Sequence, residues 1–229
     1  MTPLVVGHRG WPARFPGNTL AGFLAAAGVA DVLEMDIRRS ADGKLVLSHD
    51  PSIVGLEVAA HLWIELGETD LGHGHRPSLL DEVRSSLPDV AMQLEVKNMP
   101  HEPGFEPDHR IALETAERAG PGDMVTSFNW ASLSAVRRLF PEVATGVLVV
   151  GSVGIDQAID ECLAHGHRAL VPSVQSPIVG LIRALELGLS VFPWVVNDED
   201  RAGELAGLGV SGIITDDPPL VRAVIEGKQ

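Results

Sequence analysis

Four short stretches carry residue types that could act together on a phosphorus centre. Leu33-Glu34-Met35-Asp36 sets two carboxylates two residues apart, and Glu95-Val96-Lys97 repeats the spacing with a carboxylate and an amine. On a strand, residues i and i+2 leave on one face, so Glu34 and Asp36 would converge and Glu95 could join them from a neighbouring strand. Three carboxylates form an oxygen-rich set that suits Mg2+, Ca2+ or Mn2+ better than Zn2+, for which Cys and His are commoner ligands. The other two stretches bring His8-Arg9-Gly10 and His49-Asp50. Two imidazoles beside a carboxylate-bound cation are the parts needed for acid–base chemistry on a phosphodiester. One takes a proton from the attacking hydroxyl and the other protonates the leaving oxygen, while Arg9 and the cation offset charge on the phosphoryl oxygens. The plainer alternative is a set of structural ion pairs among these acids and Arg9, Arg38 and Lys97.

Such convergence needs strands that end together. Eight short β-branched runs recur: Leu4–Gly7, Val32–Ile37, Met92–Val96, Met124–Ser127, Thr145–Val149, Ala169–Pro172, Ser190–Val195 and Gly212–Thr215. Stretches of helical period separate them, near Thr19–Ala27, Leu79–Ser86, Asp108–Ala119, Trp130–Leu139, Gln157–His165, Pro177–Leu187, Glu199–Leu208 and Pro219–Glu226. Strict alternation points to a parallel sheet with right-handed crossovers, and eight units in 229 residues match a (β/α)8 TIM barrel. A doubly wound open sheet would normally open on a glycine-rich phosphate loop, and no Gly-x-Gly-x-x-Gly or Gly-x-x-x-x-Gly-Lys occurs. No Ser/Pro-rich linker divides the chain, so residues 1–229 read as one domain. In a barrel the chemistry sits at the carboxyl ends of the strands, where His8, Arg9, Glu34, Asp36, Glu95, Lys97 and Trp194 all fall. Trp194 would form an apolar wall.

His49 reaches that rim through a hairpin. Asp42-Gly43 between two alternating runs is a two-residue turn signal. With those two residues as the loop, Arg39 faces Val46 and Asp36 faces His49, extending the second strand above the rim. His73 and His75 read as a solvated loop, and His61, His101, His109, His165 and His167 as surface or helix-end residues.

The overall balance narrows the partners. With 17 Lys+Arg against 31 Asp+Glu the net charge is −14, so the chain repels phosphate polymers and anionic bilayers at long range, and nucleic acid is excluded as a partner. The longest apolar stretch, Ala144–Ile155, is too short to span a membrane. No signal sequence opens the chain, and Cys162 is the single cysteine, which reads as a buried core thiol. A cytoplasmic location follows as the expectation.

The ordered motifs resemble the glycerophosphodiester phosphodiesterase family. Gly7-His8-Arg9-Gly10 followed by Pro16-Gly17-Asn18-Thr19 is similar to the family's His-Arg-Gly and Pro-Glu-Asn-Thr. Leu33-Glu34-Met35-Asp36, Asp42-Gly43 and His49-Asp50 are similar to its Glu-x-Asp, Asp-Gly and His-Asp series. Glu95-Val96-Lys97, Ser127-Phe128, Trp194-Val195-Val196-Asn197 and Thr215-Asp216-Asp217-Pro218 match later landmarks. The resemblance implies a TIM barrel that uses a divalent cation to hydrolyse glycerophosphodiesters to glycerol 3-phosphate and an alcohol. It assigns Glu34, Asp36 and Glu95 to the metal, His8 and His49 to catalysis, and Arg9 and Lys97 to the phosphate.

Two departures bear on specificity. Gly17 stands where the family has Glu, and the segment from Asp50 to Ser78 is shorter than the insert many members carry there. One alternative is therefore a phospholipase D-like activity on lysophospholipids or sphingomyelin, with Trp63, Ile64 and Leu66 as an apolar tail path. Another, from a different class, is a non-catalytic glycerophosphodiester-binding protein.

Overall fold

The computed structural model describes residues 2–151 and 154–227; Ser152 and Val153, inside the Ala144–Ile155 stretch, fall outside it. The chain runs β1 (Leu4–Gly7), α1 (Leu20–Ala26), β2 (Val32–Arg39), β3 (Leu45–Leu47), β4 (Ser52–Ile53), β5 (Leu56–Glu57), α2 (Trp63–Leu66), α3 (Leu80–Ser86) and β6 (Ala91–Val96). It continues through α4 (Arg110–Glu117), β7 (Met124–Ser127), α5 (Trp130–Leu139), β8 (Ala144–Val149), α6 (Ile155–His165) and β9 (Ala169–Pro172). It ends with α7 (Ile178–Glu186), β10 (Ser190–Val191), α8 (Glu199–Leu208), β11 (Gly212–Thr215) and α9 (Pro218–Ile225).

Eight strands lie side by side in the order β10-β9-β8-β7-β6-β2-β1-β11, and every paired neighbour is parallel. The seam between β10 and β11 is bridged by Ser211 N–H to Val191 O at 2.9 Å, Ile214 N–H to Pro193 O at 3.0 Å and Val196 N–H to Ile214 O at 2.9 Å. The (β/α)8 barrel expected from the alternation is the fold. One strand is shorter than its apolar run: β10 stops at Val191, two residues before Pro193, which has no N–H to give a ladder.

Strand alternation divides the core in two. Leu33, Met35 and Ile37 of β2 and Met92, Leu94 and Val96 of β6 pack outward under the helices, where Cys162 is also buried. Val6, Val32, Met124, Leu148, Val171, Phe192 and Ile214 form a second cluster. Glu34, Asp36 and Glu95 alternate with the outward-facing residues, so the period of two sends them to the barrel interior. Burial raises the Cys162 thiol to about 12, with the Glu161 charge adding to it, so it stays protonated and inert.

The β2–β3 hairpin departs from the expected register. Arg38 pairs with Val46 and Arg39 with Leu45, one residue off the two-residue-loop alignment. The loop is Ala41-Asp42-Gly43: Gly43 takes φ +80°, its N–H donates to Ser40 O at 2.9 Å and Ser40 N–H donates to Lys44 O at 3.0 Å. This is the three-residue hairpin closed by a left-handed glycine. Asp36 therefore meets Ser48, whose N–H donates to Asp36 O at 3.0 Å, and His49 lies beyond β3 in a bend.

Two other sequence expectations change. His167 is buried rather than exposed, with Nδ1 2.8 Å from Thr145 Oγ1. Leu66 is wholly buried with Val46, Ile53 and Val58 in the core of the insert itself, so it cannot line a tail path. Among the described residues no helix is long and apolar enough to cross a membrane.

Candidate active site

The turn after β1 places two of the functional side chains. Arg9 adopts φ +52° and Gly10 φ +89°, and a Cβ on Gly10 would lie 2.8 Å from the backbone carbon of Gly22 in α1, so only glycine lets the turn close against that helix. His8 N–H donates to Thr215 O at 2.9 Å, while Arg9 N–H donates to Glu34 Oε2 at 2.9 Å. These bonds bind the ends of β1, β2 and β11 into one rim.

At that rim Glu34, Asp36 and Glu95 are buried, and one oxygen from each lies within 4.8 Å of the others. Two cations answer three anions: Lys97 Nζ pairs with Asp36 at 2.9 Å and also with Glu95, and Arg9 Nε is 3.0 Å from Asp36 Oδ2. One negative charge is left in excess. Glu34 Oε1 is buried with no hydrogen-bond partner. Burying an uncompensated carboxylate costs several kcal/mol, more than any surface ion pair returns. Such a site must take up a proton or a cation.

The titration directions express that tension. Burial, then the charges of Asp36 and Glu95, push Glu34 well above the ordinary carboxylate range. Burial and the Asp36 charge raise Glu95 to about 7. Burial works to raise Asp36 too, but Lys97, Arg9 and a hydrogen bond from Asn18 outweigh it and hold this carboxylate well below its usual value. The Glu95 and Asp36 charges outweigh burial at Lys97 and keep it protonated. An all-oxygen, buried, under-neutralised set is what a hard divalent cation requires, so the donor set fits the metal the sequence implies.

Both imidazoles border the same cavity of about 270 Å³, together with Arg9, Glu34, Glu95, Lys97, Phe128, Leu148, Val150 and Trp194. His8 Nε2 is 4.0 Å from Glu34 Oε2 and its Nδ1 is 2.7 Å from Asp216 Oδ1. His49 Nδ1 is 2.8 Å from Asp50 Oδ1, and its carbonyl accepts from Arg38 Nε at 3.1 Å and Nη2 at 2.7 Å. Arg38 is itself paired with Glu102 at 2.8 Å, so a buried arginine fixes the His49 backbone despite the register shift. Burial first, and the Lys97 charge second, lower the His49 pKa. Trp194 donates from Nε1 to Val171 O at 2.9 Å and packs edge-on against Phe128 with centroids 5.7 Å apart. It stands where an apolar wall was expected.

Asn18, Phe128, Asn197 and Asp216 belong to the site without having been assigned roles from sequence. Asn18, at φ +60°, donates from Nδ2 to Asp36 Oδ2 at 2.8 Å and accepts from Asp36 N–H at 3.2 Å. Its signal was the asparagine beside Gly17 in a turn, since asparagine tolerates the left-handed region. Gly17 itself lies against Arg9, where a Cβ would come within 3.2 Å of Arg9 Cβ and 3.3 Å of its Cδ.

Comparison with known proteins agrees with this fold. The chain is 29% identical over 248 residues to a glycerophosphodiester phosphodiesterase of Caldanaerobacter subterraneus subsp. tengcongensis, covering 99% of this chain and 100% of the relative. It is 28% identical to a glycerophosphodiester phosphodiesterase of Bacillus altitudinis, over 93% of this chain and 94% of the relative. Among solved structures, a phosphodiesterase of Oleispira antarctica in complex with the product sn-glycerol-3-phosphate superposes with TM-score 0.86 at 21% identity, covering 98% and 97% of the two chains. A glycerophosphodiester phosphodiesterase of Parabacteroides distasonis gives TM-score 0.82 at 21% identity, covering 99% and 98%. The model of the glycerophosphoryl diester phosphodiesterase family matches residues 8–220. With that model spanning most of the chain, the chain belongs to the glycerophosphoryl diester phosphodiesterase family and is an enzyme of that family.

Proposed function

We propose that the protein hydrolyses glycerophosphodiesters to sn-glycerol 3-phosphate and an alcohol, with a divalent cation held by Glu34, Asp36 and Glu95 and with His8 and His49 as the proton-transfer pair. The observation that carries this reading is the buried three-carboxylate cluster, two of whose members, Glu34 and Glu95, line one cavity with both imidazoles. When bound, the cation supplies Lewis-acid stabilisation of charge on the phosphoryl oxygens.

The remaining work falls to side chains of this protein. Arg9 and Lys97, which border the cavity, offer cationic hydrogen-bond donors to the phosphate. His8 and His49 each engage a carboxylate through Nδ1, which leaves Nε2 of each ring to exchange a proton. One Nε2 takes the proton of the attacking hydroxyl and the other delivers a proton to the leaving alkoxide. Phe128 and Trp194 shield one side of the cavity from water, which strengthens the electrostatic contacts within.

The test is release of glycerol 3-phosphate from glycerophosphocholine with Mg2+, Ca2+ or Mn2+ present. Full activity in excess chelator, or in His8→Ala, would overturn the reading. A second reading, phospholipase D-like cleavage of lysophospholipids or sphingomyelin, draws on the apolar wall of Phe128, Leu148, Val150 and Trp194 rather than on the insert. Faster choline release from lysophosphatidylcholine than from glycerophosphocholine would favour it.

A further inference from the structure

The His8 side chain is held from behind by a closed set of hydrogen bonds. Asp216 Oδ1 is 2.7 Å from His8 Nδ1, and Asp216 Oδ2 accepts from Asn197 Nδ2 at 2.6 Å. The same asparagine turns its Oδ1 to the Asp216 backbone N–H at 2.9 Å and to the Thr215 hydroxyl at 3.1 Å. Asn197 thus grips both the backbone and the carboxylate of Asp216, leaving one carboxylate oxygen for the imidazole. Because an ionised carboxylate only accepts, the hydrogen between Asp216 and His8 resides on Nδ1.

We propose that Asp216, oriented by Asn197, is a positioning residue that fixes His8 as the Nδ1–H tautomer and so keeps Nε2 available to the cavity for proton transfer. This inference rests on the reading of His8 as a catalytic residue. The bonding also predicts what a conservative change would do. In Asp216→Asn, Asn197 Nδ2 still donates to the new amide oxygen, which turns the new amide nitrogen toward His8 Nδ1. An N–H facing Nδ1 favours the opposite tautomer, with hydrogen on Nε2. Asp216→Glu keeps an acceptor, although displaced, and Asn197→Ala leaves the carboxylate in place but free to turn.

Two measurements test this. Long-range 1H–15N correlation spectra of the wild-type protein, with His8 assigned by its absence in His8→Ala, should show neutral His8 protonated at Nδ1, and Asp216→Asn should show it at Nε2. Steady-state kinetics on glycerophosphocholine should show kcat reduced on the order of 100-fold or more in Asp216→Asn with KM changed less than about 3-fold. Asp216→Glu should recover part of the loss, and Asn197→Ala should lose about 10-fold in kcat. Wild-type His8 protonated at Nε2, or an Asp216→Asn enzyme with unchanged kcat, overturns the inference. The spectrum needs no turnover, so the wild-type tautomer decides the point even where Asp216→Asn fails to fold. An active His8→Ala enzyme removes the catalytic reading itself, whereas an inactive His8→Ala beside a fully active Asp216→Asn removes the positioning role alone.

Discussion

Asp36 and Glu95 are register partners across β2 and β6, and Lys97, two residues beyond Glu95, pairs with both. Adjacent parallel strands thus bring two carboxylates to one level, and Glu34 joins from one pleat below on β2. The local charge balance of this cluster is the source of most of the behaviour expected of the protein.

Each carboxylate of the cluster has a buried oxygen without a hydrogen bond, but those of Asp36 and Glu95 are ion-paired with Lys97, whereas Glu34 Oε1 has no such partner. Glu34→Gln removes a charge that burial disfavours and keeps an acceptor for Arg9 N–H. The metal-free variant should gain about 1–3 kcal/mol in stability at pH 8, read by urea denaturation in chelator. Its affinity for Mn2+ should fall at least about 100-fold by calorimetry. Unchanged affinity would remove Glu34 from the ligand set.

Metal stabilisation should depend on pH. Glu95 titrates near 7 in the fold against 4.5 as its reference, so its protonated form stabilises the metal-free fold fully below pH 4.5, and that contribution is lost as pH rises through 7, on the order of 3 kcal/mol. Glu34, also raised, acts in the same sense, while Asp36 is ionised throughout this range. Buried His167, lowered to about 4 by burial and then by His165 and Arg137, acts in the opposite sense: its stabilisation is present above 6.5 and fades toward 4. It lies apart from the cluster and cancels in a difference. The rise in Tm on adding Ca2+ or Mg2+ should therefore be larger at pH 8 than at pH 5, and an equal rise at both would contradict the assigned ligands.

The protein carries −14 overall, and its substrate class is anionic. Above the raised range of Glu34 and Glu95, three ionised carboxylates against Arg9 and Lys97 leave the metal-free site negative, and a +2 ion reverses the sign. Calorimetry should show glycerol 3-phosphate binding at least about 10-fold more weakly in chelator than with Ca2+. Equal binding in both states would show that the local field plays no part.

Asn18 clamps Asp36 from two sides without touching the cavity chemistry directly. Asn18→Ala should lower divalent-cation affinity about 10- to 100-fold and should also strain the turn, since alanine tolerates φ +60° poorly. Asn18→Asp keeps the turn but puts a like charge beside Asp36, and should weaken metal binding less through geometry than through pKa. Measured affinity equal to wild type in both variants would remove the role.

Gly17 lies against the aliphatic stem of Arg9. Gly17→Glu should push Arg9 off Asp36 and lower kcat/KM at least about 10-fold. An increase would mean that the rim accommodates the carboxylate by another path.

The sequence by itself determined the barrel and the facing of its acids, because alternation of period two and of strand with helix are local properties that need no knowledge of neighbours. Glu34 with Asp36 and Glu95 with Lys97 were legible for the same reason. The type of the β2–β3 turn was decided by geometry: Asp42-Gly43 is compatible with two- and three-residue loops, and the choice shifted His49 by one position. Only the tertiary structure showed how it still reaches the cavity, held by a buried arginine. The partners Asn18, Asp216 and Asn197 were equally beyond local reading. Their hydrogen bonds join the loop after β1 to β2, and the end of β11 to both β1 and the segment after β10, across 18, 208 and 19 residues of chain. Such pairings exist only once the barrel has closed and brought all strand ends to one rim.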